Sequence, residues 1–521
     1  MNPAPRLTIA ILYDPWSTHT RTVQDYLEAF GRYSRHEVHY VAASAAVNAA
    51  CGYNLAAFDV ICIHYSIRLP FGVLPPSFAD ALIAFKGLKC LFIQDEYDLI
   101  ERTRCEIERL GIGLVFTNVP ADQLALVYPP ARFARVGFVQ VLTGYVPEGI
   151  AGIRQYALPP SARSIEIGYR GRLLPFWYGR LGHEKWLIGA RMKQLCRDAG
   201  IVEDIAWDEQ DRIYGDDWYA FLGRCVATLG TETGCNVFDD DGSLRATMEG
   251  WMREHPQAGF EEVWSRFMAD REGRVRMNQI SPKLFEAIAT GTVLILFEGG
   301  YSGVIEADTH YIALRRDFSN VDDVFTRLRS PQYVQAMAAR AYADVIESGR
   351  YSYLRFVAQV DEAISARARR VASEVLVSIG LIGADERARG RGREVRPLAG
   401  VRAIPGTEKF GALALAYLRG APTSLPLGWP DPRWLVVPTP LEAAAARLRG
   451  HALRTWERVP APARAVIAPL AATAARVGTA LEALARLAWH AIPRPVRMSL
   501  APAGHRVLRA IEYGKRLIRG G

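Results

Sequence analysis

The sequence predicts an α/β chain made of two consecutive parallel-sheet halves, followed by a basic extension of different composition. Three observations predict it. Residues 7 to 145 alternate short apolar, β-rich runs with longer helical patterns; the alternation restarts at Ser164; and after Ser365 the composition turns to Ala, Arg and Pro. Such alternation argues for βαβ units and a parallel sheet covered on both faces. Two Rossmann-like halves facing a cleft are the simplest reading of the repeat.

In the first half the strands are expected at Leu7 to Leu12, His36 to Ala42, Val60 to His64, Cys90 to Ile93 and Gly113 to Thr117, with helices over 20 to 33 and 98 to 110. A break containing Pro159-Pro160 ends it. The second half has strands at Ser164 to Gly168, Ala227 to Leu229, Val293 to Phe297 and Tyr311 to Leu314, and helices over 185 to 198 and 282 to 289. The organisation is therefore a first domain over 1–148, a linker over 149–163, a second domain over 164–330, closing helices over 331–365 and an extension over 366–521.

The chain of 521 residues is 50% hydrophobic and 23% charged, which excludes a disordered or disulfide-scaffold protein. Its formal charge of +8 hides an asymmetry. Residues 366 to 521 hold 26 Lys and Arg against 10 Asp and Glu, a net of +16, while residues 1 to 365 carry a net of −8. Seven cysteines, an odd number with no Cys-x-x-Cys pair, read as reduced thiols rather than disulfides or a zinc site. The start of the sequence has no pattern of a secretory leader, and no window reaches the roughly 18 apolar residues that span a membrane. A cytoplasmic protein, peripheral on the inner face of the cell membrane through its basic end, is the expectation. No Gly-x-Gly-x-x-Gly follows the first strand of either half, and no Gly-Lys-Ser/Thr occurs; NAD, FAD and P-loop chemistry are disfavoured.

The most informative segment is Asn278-Gln-Ile-Ser-Pro-Lys-Leu-Phe-Glu-Ala-Ile-Ala-Thr-Gly-Thr-Val-Leu-Ile-Leu-Phe-Glu-Gly-Gly300. A helix opens at Pro282 and ends at Gly291, a buried strand follows, and a diglycine turn stands at that strand's carboxyl end. Open α/β sheets bind ligands at strand carboxyl ends, and helix N-termini favour anions. A second segment, from Ile167-Gly-Tyr-Arg-Gly-Arg-Leu173 through His183-Glu-Lys185, places cations after the first strand of the same half.

These segments resemble the nucleotide-sugar half of GT-B glycosyltransferases, in particular the family 4-like "group 1" transferases. The resemblance covers roughly residues 5 to 365 and is specific in the second half. It implies that Glu286 holds the donor ribose, and that the amides of Gly299, Gly300 and Tyr301 approach the donor diphosphate or sugar. Arg172 and Lys185 are then the two cations on the diphosphate, with Ser281 and Lys283 as further phosphate contacts. A fixed guanidinium and ammonium neutralise a pyrophosphate leaving group as charge develops.

The pattern also departs from the family. Its first Glu, separated by seven intervening residues from the helix Glu, is replaced by Asn278. The segment Ala227-Thr-Leu-Gly-Thr-Glu-Thr-Gly234 resembles the strand and turn that carry that Glu, so Glu232 is the candidate donor-sugar contact, followed by an insert over 243–276. In the first half, where relatives place a His, the strand ends Ile93-Gln-Asp-Glu-Tyr97; Asp95 takes the polar role, His64 faces the same cleft, and His19 in the first loop borders the acceptor. No metal is implied: Asp239-Asp-Asp241 reads as a turn, and the cations make a divalent ion redundant. No cofactor is expected beyond the nucleotide-diphosphate sugar that serves as donor substrate.

The implied activity is sugar transfer, with retention, from a nucleotide-diphosphate donor to a glycan or lipid-linked acceptor in cell-surface glycan synthesis. A nucleotide-sugar epimerase or hydrolase, and a non-catalytic scaffold, stay open beside it. In the extension, Val507, Leu508, Ile511, Leu517 and Ile518 form a stripe flanked by Arg506, Arg509, Lys515, Arg516 and Arg519. An anionic membrane surface suits a basic amphipathic helix; a docking helix suits the same stripe. Nucleic acid is not an expected partner, because no recognition motif or aromatic platform accompanies the charge.

Overall fold

A computed structural model describes residues 6–18, 20–44 and 51–378. His19 and the extension from 379 onward, both named above, lie outside the described residues.

The first half is a six-stranded parallel sheet in the order β2-β1-β3-β4-β5-β6, built from β1 (Thr8–Tyr13), β2 (Glu37–Ala42), β3 (Val60–Ile63), β4 (Leu88–Ile93), β5 (Leu114–Thr117) and β6 (Gly137–Gln140). The second is five-stranded and parallel, in the order β11-β10-β9-β7-β8, from β7 (Ile165–Arg170), β8 (Glu203–Ala206), β9 (Cys225–Gly230), β10 (Val293–Phe297) and β11 (Ile312–Leu314). Central strands such as β3 and β10 are buried along their whole length, as sheets covered on both faces require.

Two strands escape the sequence reading, β6 and β8. Both are at sheet edges, where one face meets water and the apolar run is diluted: β8 reads Glu-Asp-Ile-Ala, with only Ile205 buried. The expected helix over 98 to 110 begins at Ile100, because Leu99 adopts a left-handed backbone with φ 60° and Asp98 bridges to Asp239.

The final helix, Tyr353–Ser378, runs through the expected boundary at 365 and packs on the first half, not the second. Phe356, Val357, Val360 and Ile364 join Tyr26, Phe30 and Phe92 in the core of the first sheet. Asp361 accepts from the Ser34 hydroxyl at 2.8 Å and the Arg35 amide at 2.8 Å, and Arg367 Nε donates to Gly113 O at 3.1 Å. The chain thus crosses between the halves twice.

The insert forms two helices, Ser243–Glu254 and Phe260–Phe267, over a separate apolar cluster of Cys235, Val237, Met248, Phe260, Val263 and Met268. Asp239 is buried: its carboxylate accepts from the amides of Gly242, Leu244 and Arg245 and so starts the first of these helices. The turn expected over Asp239 to Asp241 is thus buried at its first residue, where the carboxylate serves as a cap rather than facing water. All seven cysteines are free thiols. No helix among the described residues is long and apolar enough to cross a membrane.

Candidate functional site

Loops at the carboxyl ends of the strands of both halves meet. After β6, Thr143 Oγ1 donates to Ile280 O at 2.8 Å; after β5, Asn118 O accepts from Gln279 Nε2 at 2.7 Å. The cleft between these contacts is where the candidate side chains converge.

Helix Gly179–Asp198 starts six residues earlier than periodicity indicates, which makes Lys185 a residue of its second turn. Its Nζ donates to Thr233 Oγ1 at 2.8 Å, in the turn after β9. Burial first, then the charges of Lys283 and Arg172, push Lys185 down to about 8, while Asp95 of the first half pulls the other way. Lys283, whose side chain still reaches solvent, is likewise held below the ordinary lysine value, by desolvation first, with Arg212 and Arg172 adding and Glu286 opposing. Arg172, Lys185 and Lys283 therefore share one field, and none forms an ion pair among the described residues. Cations that share a field repel one another, Asp95 and Glu286 offset this only in part, and an anion between them relieves the remaining cost.

Helix Lys283–Ala289 carries Glu286, whose Oε2 accepts from Trp218 Nε1 at 2.7 Å. Burial raises the Glu286 carboxyl above its ordinary range against the opposing effects of Trp218 and Lys283. Lys283 Nζ lies 5.2 Å from the centre of the Trp218 ring, a cation–π contact. Ser281 is half-buried just ahead of this helix. Asp25, from the first half, adds its charge at Glu286 across the cleft.

Glu232 and the diglycine loop form a second constellation. The Glu232 carboxylate is buried; Oε1 accepts from the amides of Gly300 at 3.1 Å and Tyr301 at 2.8 Å, and Oε2 from Asn278 Nδ2 at 2.7 Å. A side chain at Gly299 would stand 2.6 Å from Glu232 Oε2, so this approach requires glycine. Residues Tyr301 and Ser302 turn through positive φ, at 43° and 54°. Two of the three amides expected to face a donor, those of Gly300 and Tyr301, thus hold a carboxylate of the protein, and Asn278 orients it.

His64 is corrected. It is fully buried, its Nδ1 lies 2.9 Å from Ser66 Oγ, its ring lies 3.9 Å from that of Tyr65, and burial lowers its pKa to about 3. A neutral, enclosed imidazole cannot meet an acceptor. Asp95, in contrast, is exposed at the end of β4, and Tyr97 donates to its Oδ1 at 2.8 Å. Sequence reasoning missed Trp218, Thr233 and Tyr97. Thr233 stood beside Glu232 in the quoted turn, but nothing in the amphipathic pattern around Trp218 or the strand-end position of Tyr97 marks either as a partner.

Two parallel α/β halves whose strand carboxyl ends meet across a cleft, with the last helix returning to the first half, define the GT-B class of fold. No family model matches the chain, and no curated protein matches it in sequence. Among solved structures it is similar to HepE of Anabaena in complex with UDP-glucose, at 13% identity and a TM-score of 0.40, over 69% of this chain and 100% of that one. It is similar also to an α-glucosyltransferase in complex with UDP-glucose and DNA, at 12% and 0.39 over 69% and 99%. A third likeness is to sucrose-phosphate synthase of Thermosynechococcus elongatus, at 10% and 0.39 over 72% and 100%.

Proposed function

We propose that the chain is a glycosyltransferase that moves a sugar from a nucleotide-diphosphate donor to a glycan or lipid-linked acceptor, with retention and without a metal ion. One observation carries the reading: the charges of Arg172, Lys185 and Lys283, none of them ion-paired among the described residues, bear on one another next to the half-buried carboxylate of Glu286. A diphosphate supplies the missing negative charge, and the free oxygen of Glu286 supplies an acceptor for a ribose hydroxyl. As the bond to the sugar breaks, charge accumulates on the diphosphate, and cations placed around it stabilise that charge more than the ground state. Retention with attack on the leaving-group side requires no dedicated general base, which suits a first half in which His64 is buried. The acceptor enters from the side of Asp95. A membrane surface is the partner proposed for the basic extension.

A non-catalytic scaffold is the second reading, favoured by Glu232, whose two oxygens are taken up within the protein. A thermal-shift panel of nucleotide sugars, followed by transfer assays with and without chelator, tests the proposal, because a bound ligand stabilises the native state by mass action. Stabilisation by one nucleotide family, with chelator-resistant transfer, is expected. No shift with any nucleotide sugar would overturn it, and binding without transfer or hydrolysis would favour the scaffold.

A further inference from the structure

Tyr97 belongs to the first half but is buried in the second. Its ring joins the apolar cluster of the insert, among Cys235, Val237, Met248, Phe260, Val263 and Met268, with the Tyr178 ring 6.0 Å away. The main chain is stitched across the same place: Asp239 N donates to Tyr97 O at 3.0 Å, Leu99 N to Asp239 O at 2.8 Å, and Glu101 N to Asp240 O at 3.0 Å. The Asp98 carboxylate stands between Arg68 at 3.5 Å and Arg245 at 3.7 Å, one guanidinium from each half. Leu99 is held in a left-handed conformation there, φ 60°, which a residue with a side chain keeps only where its surroundings over-determine it.

At the end of this fixed segment the Tyr97 hydroxyl donates to Asp95 Oδ1 at 2.8 Å. An exposed aspartate otherwise samples several rotamers at little cost. A phenol whose ring is locked in an apolar cluster removes that freedom. The Asp95 charge is felt at Lys185, on the opposite wall of the cleft.

We propose that Tyr97 is a positioning residue: inserted from the first half into the insert of the second, it holds the Asp95 carboxylate at the transfer site, so that the insert sets the geometry in which the two halves work together. This rests on the sugar-transfer reading above. The role of the insert is then to align a group of the opposite half, beyond covering its own.

The test uses the full chain with the nucleotide sugar it turns over fastest, in the wild type, Tyr97→Phe, Asp95→Asn and the double variant. Phenylalanine keeps the ring in its cluster, so thermal midpoints should stay close to that of the wild type. Tyr97→Phe should lower kcat by about ten-fold while leaving donor KM within about two-fold, as expected when a group acts on the transition state rather than on binding. The double variant should be no slower than Asp95→Asn alone, because Tyr97 acts through Asp95. A second readout is the pH midpoint of Lys185 acetylation, followed by mass spectrometry. It should fall in Asp95→Asn and move the same way in Tyr97→Phe. Independent, multiplying losses, or an unmoved labelling midpoint in Tyr97→Phe, overturn the role of Tyr97 while sugar transfer stands. A wild type that neither binds nor turns over any nucleotide sugar overturns the transfer reading, and this proposal with it.

Discussion

The indole Nε1 of Trp218 donates to Glu286 Oε2 at 2.7 Å, which leaves one oxygen of the carboxylate for a ligand and fixes the direction in which it faces. Glu286→Gln must then choose. If the amide oxygen stays with Trp218, its NH2 faces the ligand; if the NH2 turns to Trp218, two donors meet. Either way a charge-assisted bond is lost, a contribution of about 1.5 to 3 kcal/mol, or roughly ten- to a hundred-fold in affinity. Titration calorimetry with the nucleoside diphosphate that stabilises the wild type measures it. Unchanged affinity would remove Glu286 from the ribose site.

Arg172→Ala and Lys185→Ala should each reduce turnover at saturating donor, and the double variant should lose less than the product of the two. Both charges bear on the same point, since the Arg172 guanidinium is felt at Lys185 itself and at its neighbour Lys283. Single variants with near-normal kcat would place the diphosphate elsewhere.

The Lys185 ammonium, pushed down to about 8, should give the proposed transfer an alkaline limb. If Lys185 binds the diphosphate as proposed, the ligand-free protein loses the binding proton above that pH, so kcat/KM should fall with a midpoint near 8, and bound donor should shift the limb in kcat upward. Stability moves the opposite way. With a folded value below the unfolded one, Lys185 favours the folded state above the unfolded pKa, and that contribution is lost as pH falls through the folded pKa. Lys185→Arg does not titrate and should abolish the limb; persistence of the limb in that variant would assign it to another group.

The parts of this molecule legible in the sequence are those where one residue pattern answers to one physical demand. Buried central strands demand unbroken apolar runs, so β3 and β10 could be placed; edge strands tolerate Glu203 and Asp204, so β8 could not. Arg172 after the first strand of the second half, and Lys185 and Lys283 near the starts of helices, stood out as cations, and the structure couples their charges. The tie of Asn278 to Glu232 spans 46 positions and that of Trp218 to Glu286 spans 68, distances over which no local periodicity carries information. His64 failed for a related reason: whether an imidazole after a strand opens to a cleft or closes under Tyr26 and Tyr65 depends on a helix elsewhere in the chain.

Glu96, next to Asp95, is buried with one oxygen accepting from Thr117 and the other without a hydrogen-bond partner among the described residues. Burial raises its carboxyl to about 7. A raised folded pKa means that the folded state is favoured below the unfolded pKa, and that this advantage is lost as pH rises through about 7. Glu96→Gln, which carries no charge, should therefore gain stability over the wild type between about pH 5 and about pH 8.5, by about 3 kcal/mol at most. Denaturant melts at the two pH values check it; a difference independent of pH would show that Glu96 does not titrate in that range.

The basic extension is proposed to bring the enzyme to an anionic membrane, and the structure shows where it can be removed. A cut at 366 would sever helix Tyr353–Ser378, in which Ser365 Oγ meets His36 Nε2 at 3.0 Å and Arg35 at 2.8 Å, and would also remove the Arg367 contact to Gly113. A cut after Ser378 spares these contacts and still removes residues 379 to 521, which hold 23 Lys and Arg against 9 Asp and Glu. The truncated chain should bind nucleotide as the full chain does, since every candidate donor contact precedes the cut. It should lose association with vesicles rich in anionic lipid, and transfer to a lipid-linked acceptor should fall with it, because interfacial binding needs both attraction of charge and insertion of an apolar stripe. Salt should weaken binding of the full chain, since screening shortens the reach of the charges to about 8 Å at physiological ionic strength. Co-sedimentation of both forms at low and high salt decides the matter: equal binding by the two would remove the membrane role and assign the stripe from Val507 to Ile518 to packing or to a protein partner.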